Sequence, residues 1–179
     1  MPLKILSVII LFLVCASVPQ LAAAAEKVRI EPPSENIEKF FNAFNRDTLY
    51  LVEDFYDAGV EFHDPIVNIS GRDRLRRYYE GMYEGIDRVR FDFKGEIKEG
   101  ADHVVFWTMV LQTKKMNKGK PISVDGNSHI RFGGPEGKAI YHRDYFDVGA
   151  MVYEHVPVVG WMTGYVKGKL KKHAQMKDQ

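Results

Sequence analysis

The sequence predicts an α+β domain in which helices come first and an antiparallel sheet follows. Three observations predict it. Apolar residues recur at helical spacing up to about residue 84, the period then changes to two, and glycine-rich turns separate the later segments. The chain has 179 residues, enough for one domain with accessory segments. Hydrophobic residues make up 45% and charged ones 27%, a balance that belongs to a globular chain and not to a disordered one.

The first 25 residues stand apart from the fold. Lys4 supplies a positive start, residues 5–14 form an almost unbroken apolar run, and Ala22 to Ala25 offer small residues before Glu26. That is the pattern of a cleaved signal peptide, and the run is short of the roughly 20 apolar residues of a membrane span. The protein is therefore expected to be exported, to the periplasm or beyond. Cys15 is the only cysteine and lies in the apolar run, so the exported chain offers no disulfide, thiolate or Cys-based zinc site. Losing Lys4, the only charge in residues 1–25, leaves 24 basic and 24 acidic side chains. A neutral chain of this kind argues against a nucleic-acid partner.

Residues 26–35 read as a linker, marked by Pro32-Pro33. Ser34 suits a helix N-cap, Glu35 and Glu38 suit the positive end of the dipole, and Ile37, Phe40, Phe41 and Phe44 form an apolar face. Asp47 is placed to cap a second short helix carrying Leu49, Leu51, Val52 and Phe55, which Gly59 ends. Residues 60–63 form a short strand stopped by Asp64-Pro65, with Asp64 a turn-former. A third helix is expected over 73–84, with Leu75, Tyr78, Tyr79 and Met82 inward and Arg74, Arg76 and Arg77 on a solvated face.

Strands are expected over 88–98, 104–113, 121–132 and 138–147. They are joined by a turn at Glu99-Gly100, a basic loop over 114–120 and the turn Gly133-Gly134-Pro135-Glu136-Gly137. Asp147 is expected to cap the next helix. The tail, residues 149–179, is rich in Val, Met, Trp and Tyr and then in Lys167, Lys169, Lys171 and Lys172. It is expected to form amphipathic helix broken near Pro157 and Gly160. Such a tail packs on the domain or a dimer interface, or lies on a membrane surface.

This order of elements resembles the nuclear transport factor 2-like superfamily, in its SnoaL-like and limonene epoxide hydrolase-like branch. The residues that carry the resemblance are Phe62-His63-Asp64-Pro65, then Gly71-Arg72, then Gly137-Lys138 leading to Arg143-Asp144-Tyr145-Phe146-Asp147. It covers roughly residues 37–147, so the domain is set at 36–148. The resemblance implies three N-terminal helices and a cone-shaped curved sheet whose open end admits a small apolar molecule. It also implies a homodimer. Asp144 corresponds to the catalytic aspartate of the epoxide hydrolases, which pair it with an Arg-x-Asp motif on an earlier strand. Residues 104–111 here, Val-Val-Phe-Trp-Thr-Met-Val-Leu, contain neither. SnoaL-like cyclases and ketosteroid isomerases instead use one acid–base carboxylate beside an oxyanion donor.

Alternation along the last strand sets His142, Asp144 and Phe146 on one face, and Tyr141, Arg143 and Tyr145 on the other. Trp107 and Met109 share a face of their own strand. Desolvation raises the pKa of a buried carboxylate and a nearby cation lowers it, which is how such a group becomes a general acid or base. The expected catalytic set is therefore Asp144 with His63 or His142 as oxyanion donor, and the expected substrate-binding set is Trp107, Met109, Tyr56 and Phe146. Each has a structural alternative: Asp144 pairing with Arg143, His63 capping its turn, His142 at a rim, Trp107 and Tyr56 in the core. No His-x-x-x-His spacing occurs among the six histidines, and neither metal nor cofactor is expected. Two functions stay open: a cofactor-free isomerase, cyclase or hydrolase, and a non-catalytic module that binds a small ligand or lipid in the cell envelope. A structural dimer whose cone is filled by its own side chains is a third.

Overall fold

The computed structural model describes Ile30 and residues 34–175; the expected signal peptide and most of the linker lie outside these. Helix α1 (Glu35–Ala43) buries Ile37, Phe40 and Phe41. Ser34 holds the N-cap position, but its hydroxyl does not cap the helix. Its amide and hydroxyl instead donate to Glu96 Oε2, at 2.6 and 2.8 Å. A short 3-10 turn, Arg46–Thr48, is capped by Asn45 and not by Asp47, because the Asp47 amide donates to Asn45 Oδ1 at 2.8 Å. Helix α2 (Leu51–Phe55) then runs straight into β1 (Tyr56–His63), which begins earlier than the sequence suggested and carries Gly59 within it.

Strand β2 (Asn68–Ser70) and helix α3 (Arg72–Tyr83) follow. The expected inner residues Leu75 and Tyr79 are buried, while Arg74, Arg76 and Arg77 are exposed. Asp64 turns the chain between β1 and β2, its Oδ1 accepting from the amides of Ile66 and Val67, each at 2.7 Å. The remaining strands are β3 (Arg88–Glu99), β4 (Asp102–Gln112), β5 (Ile122–Gly133) and β6 (Lys138–Phe146).

The six strands form one curved, unclosed sheet in the order β2-β1-β6-β5-β4-β3. Every pairing is antiparallel except β1 with β6, which is parallel and aligns Phe62 with His142 and His63 with Arg143. One face of the sheet packs on α1, α2 and α3, with Phe40 stacked on Phe55 and Phe41 edge-on to Phe91 and Phe93. The register shifts between Phe93 and Gly95, where Lys94 is the extra residue. One added residue inverts the alternation beyond it, so Glu96 is buried and Ile97 is not. Glu96 is satisfied there by Ser34 and by His103 Nδ1.

Asp147 caps α4 (Val148–Met151) by accepting from the Ala150 amide at 3.1 Å. After a 3-10 turn, Tyr153–His155, helix α5 (Pro157–Gln175) completes the described chain. Pro157 opens that helix, but Gly160 does not break it. A Cβ at Gly160 would lie 2.2 Å from the Glu154 carbonyl oxygen, so glycine lets the helix seat on the preceding turn. No helix among the described residues is long and apolar enough to cross a membrane.

Candidate active site

Between the helices and the inner face of the sheet lies a cavity of about 340 Å³. Aromatic rings form most of its wall, among them Phe41 and Phe44 of α1, Phe62 of β1, Tyr79 and Tyr83 of α3, and Trp107 of β4. Met109, Phe146 and Asp144 line it too, with Asp144 and Phe146 on the shared face that alternation gave them. The cone is therefore not filled by its own side chains.

Asp144 is held from behind. Ser128 Oγ donates to its Oδ1 at 2.5 Å, and His142 Nε2 reaches the same oxygen at 2.8 Å. Among the described residues no protein group bonds Oδ2 of this carboxylate. Ser128 is in turn fixed by Trp107, whose Nε1 donates to its hydroxyl at 2.9 Å. Behind His142, its Nδ1 lies 2.6 Å from the Tyr56 hydroxyl, which lies 3.2 Å from the Tyr79 hydroxyl.

The direction of this chain follows from what each group can do. With Asp144 as the acceptor, Nε2 of His142 is the donor to it; where Nδ1 of that ring accepts, Tyr56 donates to it and accepts from Tyr79. Indole N–H only donates, which turns the Ser128 hydroxyl toward Asp144. Two chains of donors thus converge on one oxygen. Burial raises the hydroxyl pKa of Tyr56 and Tyr79 well above the usual value, and the Asp144 charge pushes both the same way. Both stay neutral and able to donate.

Trp107 owes its position to a glycine. It pairs with Gly126 across β4 and β5. A Cβ there would lie 2.3 Å from Cη2 of the indole. The bare glycine backbone is what lets the ring lie over β5 and reach Ser128.

Three expected site residues lie elsewhere. His63 does not line the cavity: alternation sends it to the face opposite Phe62, where its Nδ1 lies 2.6 Å from Asn68 Oδ1 and its ring tilts against Tyr141. His142 is on the inner face but 1% exposed, covered by Asp144, Tyr56 and Phe62, and it bonds the carboxylate from behind the cavity wall. Tyr56 is 0% exposed and sits behind His142, not at the mouth.

Three further residues escaped the sequence reading. Ser128 is fully buried at the junction described above. Asp64 lines the same cavity as Asp144, and its Oδ2 accepts from Tyr78 at 2.6 Å. The parallel register explains this: one residue beyond the His63–Arg143 pair, each strand carries an aspartate. Tyr83 also lines the wall; burial raises its hydroxyl pKa, and that hydroxyl has no side-chain or backbone partner among the described residues. A serine in a strand or an aspartate before proline carries no local mark of such a place. Among the described residues no group of three or more His, Cys, Asp or Glu side chains is arranged to hold a metal.

A curved six-stranded sheet with helices over one face, enclosing an aromatic cavity with carboxylates in its wall, defines a nuclear transport factor 2-like protein. The family model of the SnoaL-like domain matches residues 37–142, and the chain belongs to that family. Solved structures agree on the fold. A protein of this fold from Burkholderia pseudomallei, of unknown function, is 20% identical, with a TM-score of 0.57 over 65% of this chain and 92% of its own. A candidate SnoaL-like polyketide cyclase from Jannaschia is 14% identical, with a TM-score of 0.57 over 65% and 86%. A protein with a ketosteroid isomerase-like fold from Catenulispora acidiphila, in complex with trimethylamine, is 16% identical, with a TM-score of 0.58 over 69% and 92%. No curated protein matches the chain.

Proposed function

We propose that this protein is a cofactor-free acid–base catalyst, an isomerase or cyclase of a small, mostly apolar molecule, with Asp144 as the group that moves the proton. One observation carries the reading. Asp144 lines an aromatic cavity with Oδ1 pinned by Ser128 and His142, while Oδ2 has no protein partner among the described residues. A carboxylate fixed by one oxygen presents the other at a set angle, the preorganisation that proton transfer from carbon requires. The enolate formed on the ligand needs a donor, and Tyr83 is the neutral hydroxyl on the cavity wall available for it. Epoxide hydrolysis by the two-carboxylate route is not part of the proposal, because the Arg-x-Asp pair that would hold its water is missing from β4.

The test needs no knowledge of the natural substrate. The protein should catalyse exchange of the α-hydrogens of a small aromatic ketone, such as 2-tetralone, in D2O. The rate should saturate with ketone and require no added cofactor. No exchange above buffer, with ketones shown to enter the cavity, counts against a catalyst.

A second reading is a binding module that holds its ligand without turnover. It is favoured by the way the wall satisfies itself: Asp64 is taken up by Tyr78 and two backbone amides, and Asp144 Oδ1 by two donors. The trimethylamine held by the Catenulispora protein suggests a small amine as one such ligand. Native mass spectrometry of protein from its own host reads a retained molecule directly. In either reading we place the protein outside the cytoplasm, on the pattern of residues 1–25, and as a homodimer, on its family resemblance.

A further inference from the structure

Helix α5 faces the wrong way for a packing helix. At about 100° per residue, Trp161, Met162, Tyr165, Val166 and Leu170 fall within one half of its circumference. Their exposures run from 55% at Val166 to 73% at Trp161, so among the described residues this half is left mostly uncovered. The opposite side makes the contacts. Gly160 seats on the Glu154 carbonyl, and Lys167 Nζ bonds Glu154 and lies 3.6 Å from Asp147. The glycine and lysine side is clamped to the domain, and the apolar half is held outward.

Charge separates in the same helix. Residues 157–175 include Lys167, Lys169, Lys171 and Lys172 and no acid, in a chain whose formal charge is +1. Lys169 and Lys172 both fall within the apolar half, and the Nζ of Lys169 lies 4.9 Å from the centroid of the Tyr165 ring. Its stem therefore runs along the aromatic surface, as lysines do at an interface. The Trp161 and Tyr165 rings are stacked with centroids 6.2 Å apart.

We propose that α5 is an interfacial helix that docks the domain on an anionic lipid bilayer. Outward tryptophan, tyrosine and aliphatic side chains with lysines among them suit the boundary between headgroups and acyl chains. The helix lies on the surface and does not span it. A second copy fits less well, since two acid-free helices meeting through this face would bring like charges together. The proposal does not depend on the cavity, and its failure leaves the reading of Asp144 as it stands.

The test is co-sedimentation of the purified chain, its N-terminus established by mass spectrometry, with vesicles of phosphatidylglycerol in phosphatidylcholine or of phosphatidylcholine alone. Binding is expected to the anionic vesicles only and to fall with added salt. Trp161→Ser with Leu170→Ser should abolish it, and Lys169→Gln and Lys171→Gln should each weaken it about fivefold. Comparison between variants cancels any contribution from the N-terminal apolar run. Brominated lipid should quench Trp161 in the unaltered protein, which removes dependence on how the variants fold. Equal binding to both vesicle types, or by the Trp161/Leu170 variant, would overturn the proposal. So would a dimer in light scattering that the Trp161/Leu170 variant converts to monomer, because a second copy would then cover this face.

Discussion

His142 Nε2 meets Asp144 Oδ1 at 2.8 Å, two residues apart on the inner face of β6. The contact joins a fully buried network to the one carboxylate oxygen that Ser128 also bonds. In the proposed reading the histidine is a positioning residue that acts through the aspartate. His142→Leu should destabilise the fold by about 1–3 kcal/mol, because the buried Tyr56 hydroxyl would lose its 2.6 Å partner and keep only the Tyr79 hydroxyl at 3.2 Å. Adding Tyr56→Phe should recover part of that loss, since removing both partners costs less than removing one. Urea unfolding of the two single variants and the pair checks this; strictly additive losses would mean that the contact contributes nothing of its own.

Gly126 and Trp107 are coupled through space, not through a bond. Gly126→Ala should displace the indole toward the cavity and cost about 1–3 kcal/mol, the usual range for overpacking. It should also break the Trp107–Ser128 hydrogen bond and reduce ligand affinity. In the background of Trp107→Phe the same glycine change should cost less. The double-mutant cycle, read by denaturant midpoints, isolates the coupling.

The buried tyrosines predict the alkaline limit of stability. Tyr56, Tyr78, Tyr79 and Tyr83 all have hydroxyl pKa values raised above the usual one, with burial the first cause at each. In the unfolded chain they titrate near pH 10. Above that pH the folded state holds more protons than the unfolded one, so stability falls as pH rises. Stability should be flat in this respect below about pH 10 and decline steadily beyond. Urea midpoints between neutral pH and strong alkali measure it.

Glu96 anchors the start of α1 to the sheet. Glu96→Ala would leave His103 and the Ser34 amide without their buried partner. A loss of roughly 1–3 kcal/mol is expected, the cost of leaving buried donors unsatisfied. Hydrogen exchange should show the first turn of α1 opening before the sheet does.

Much of the fold was legible because its signals are local. The 3, 4, 7 spacing in α1 and α3 and the glycine turns between β3 and β6 do not depend on distant residues. The site was legible only along one strand at a time. Alternation set Asp144 and Phe146 on one face of β6, and the family resemblance pointed that face inward. Applied to β1, the same rule puts His63 on the face opposite Phe62, away from the cavity. Asp64 and Ser128 were out of reach, because they join the site through the register of β1 and β5 on β6, and register is not a local property. The bulge at Lys94 hid Glu96 for a related reason: one extra residue exchanges the faces of all that follow.

The central claim is that Asp144 moves a proton inside the cavity, and Asp144→Asn tests it most directly. The amide keeps the side-chain shape and removes the base. Ketone binding by calorimetry should stay within about threefold, while α-hydrogen exchange in D2O should fall by about 100-fold or more, the usual weight of a general base. Exchange at the unaltered rate in the Asp144→Asn protein, with binding intact, would contradict the account.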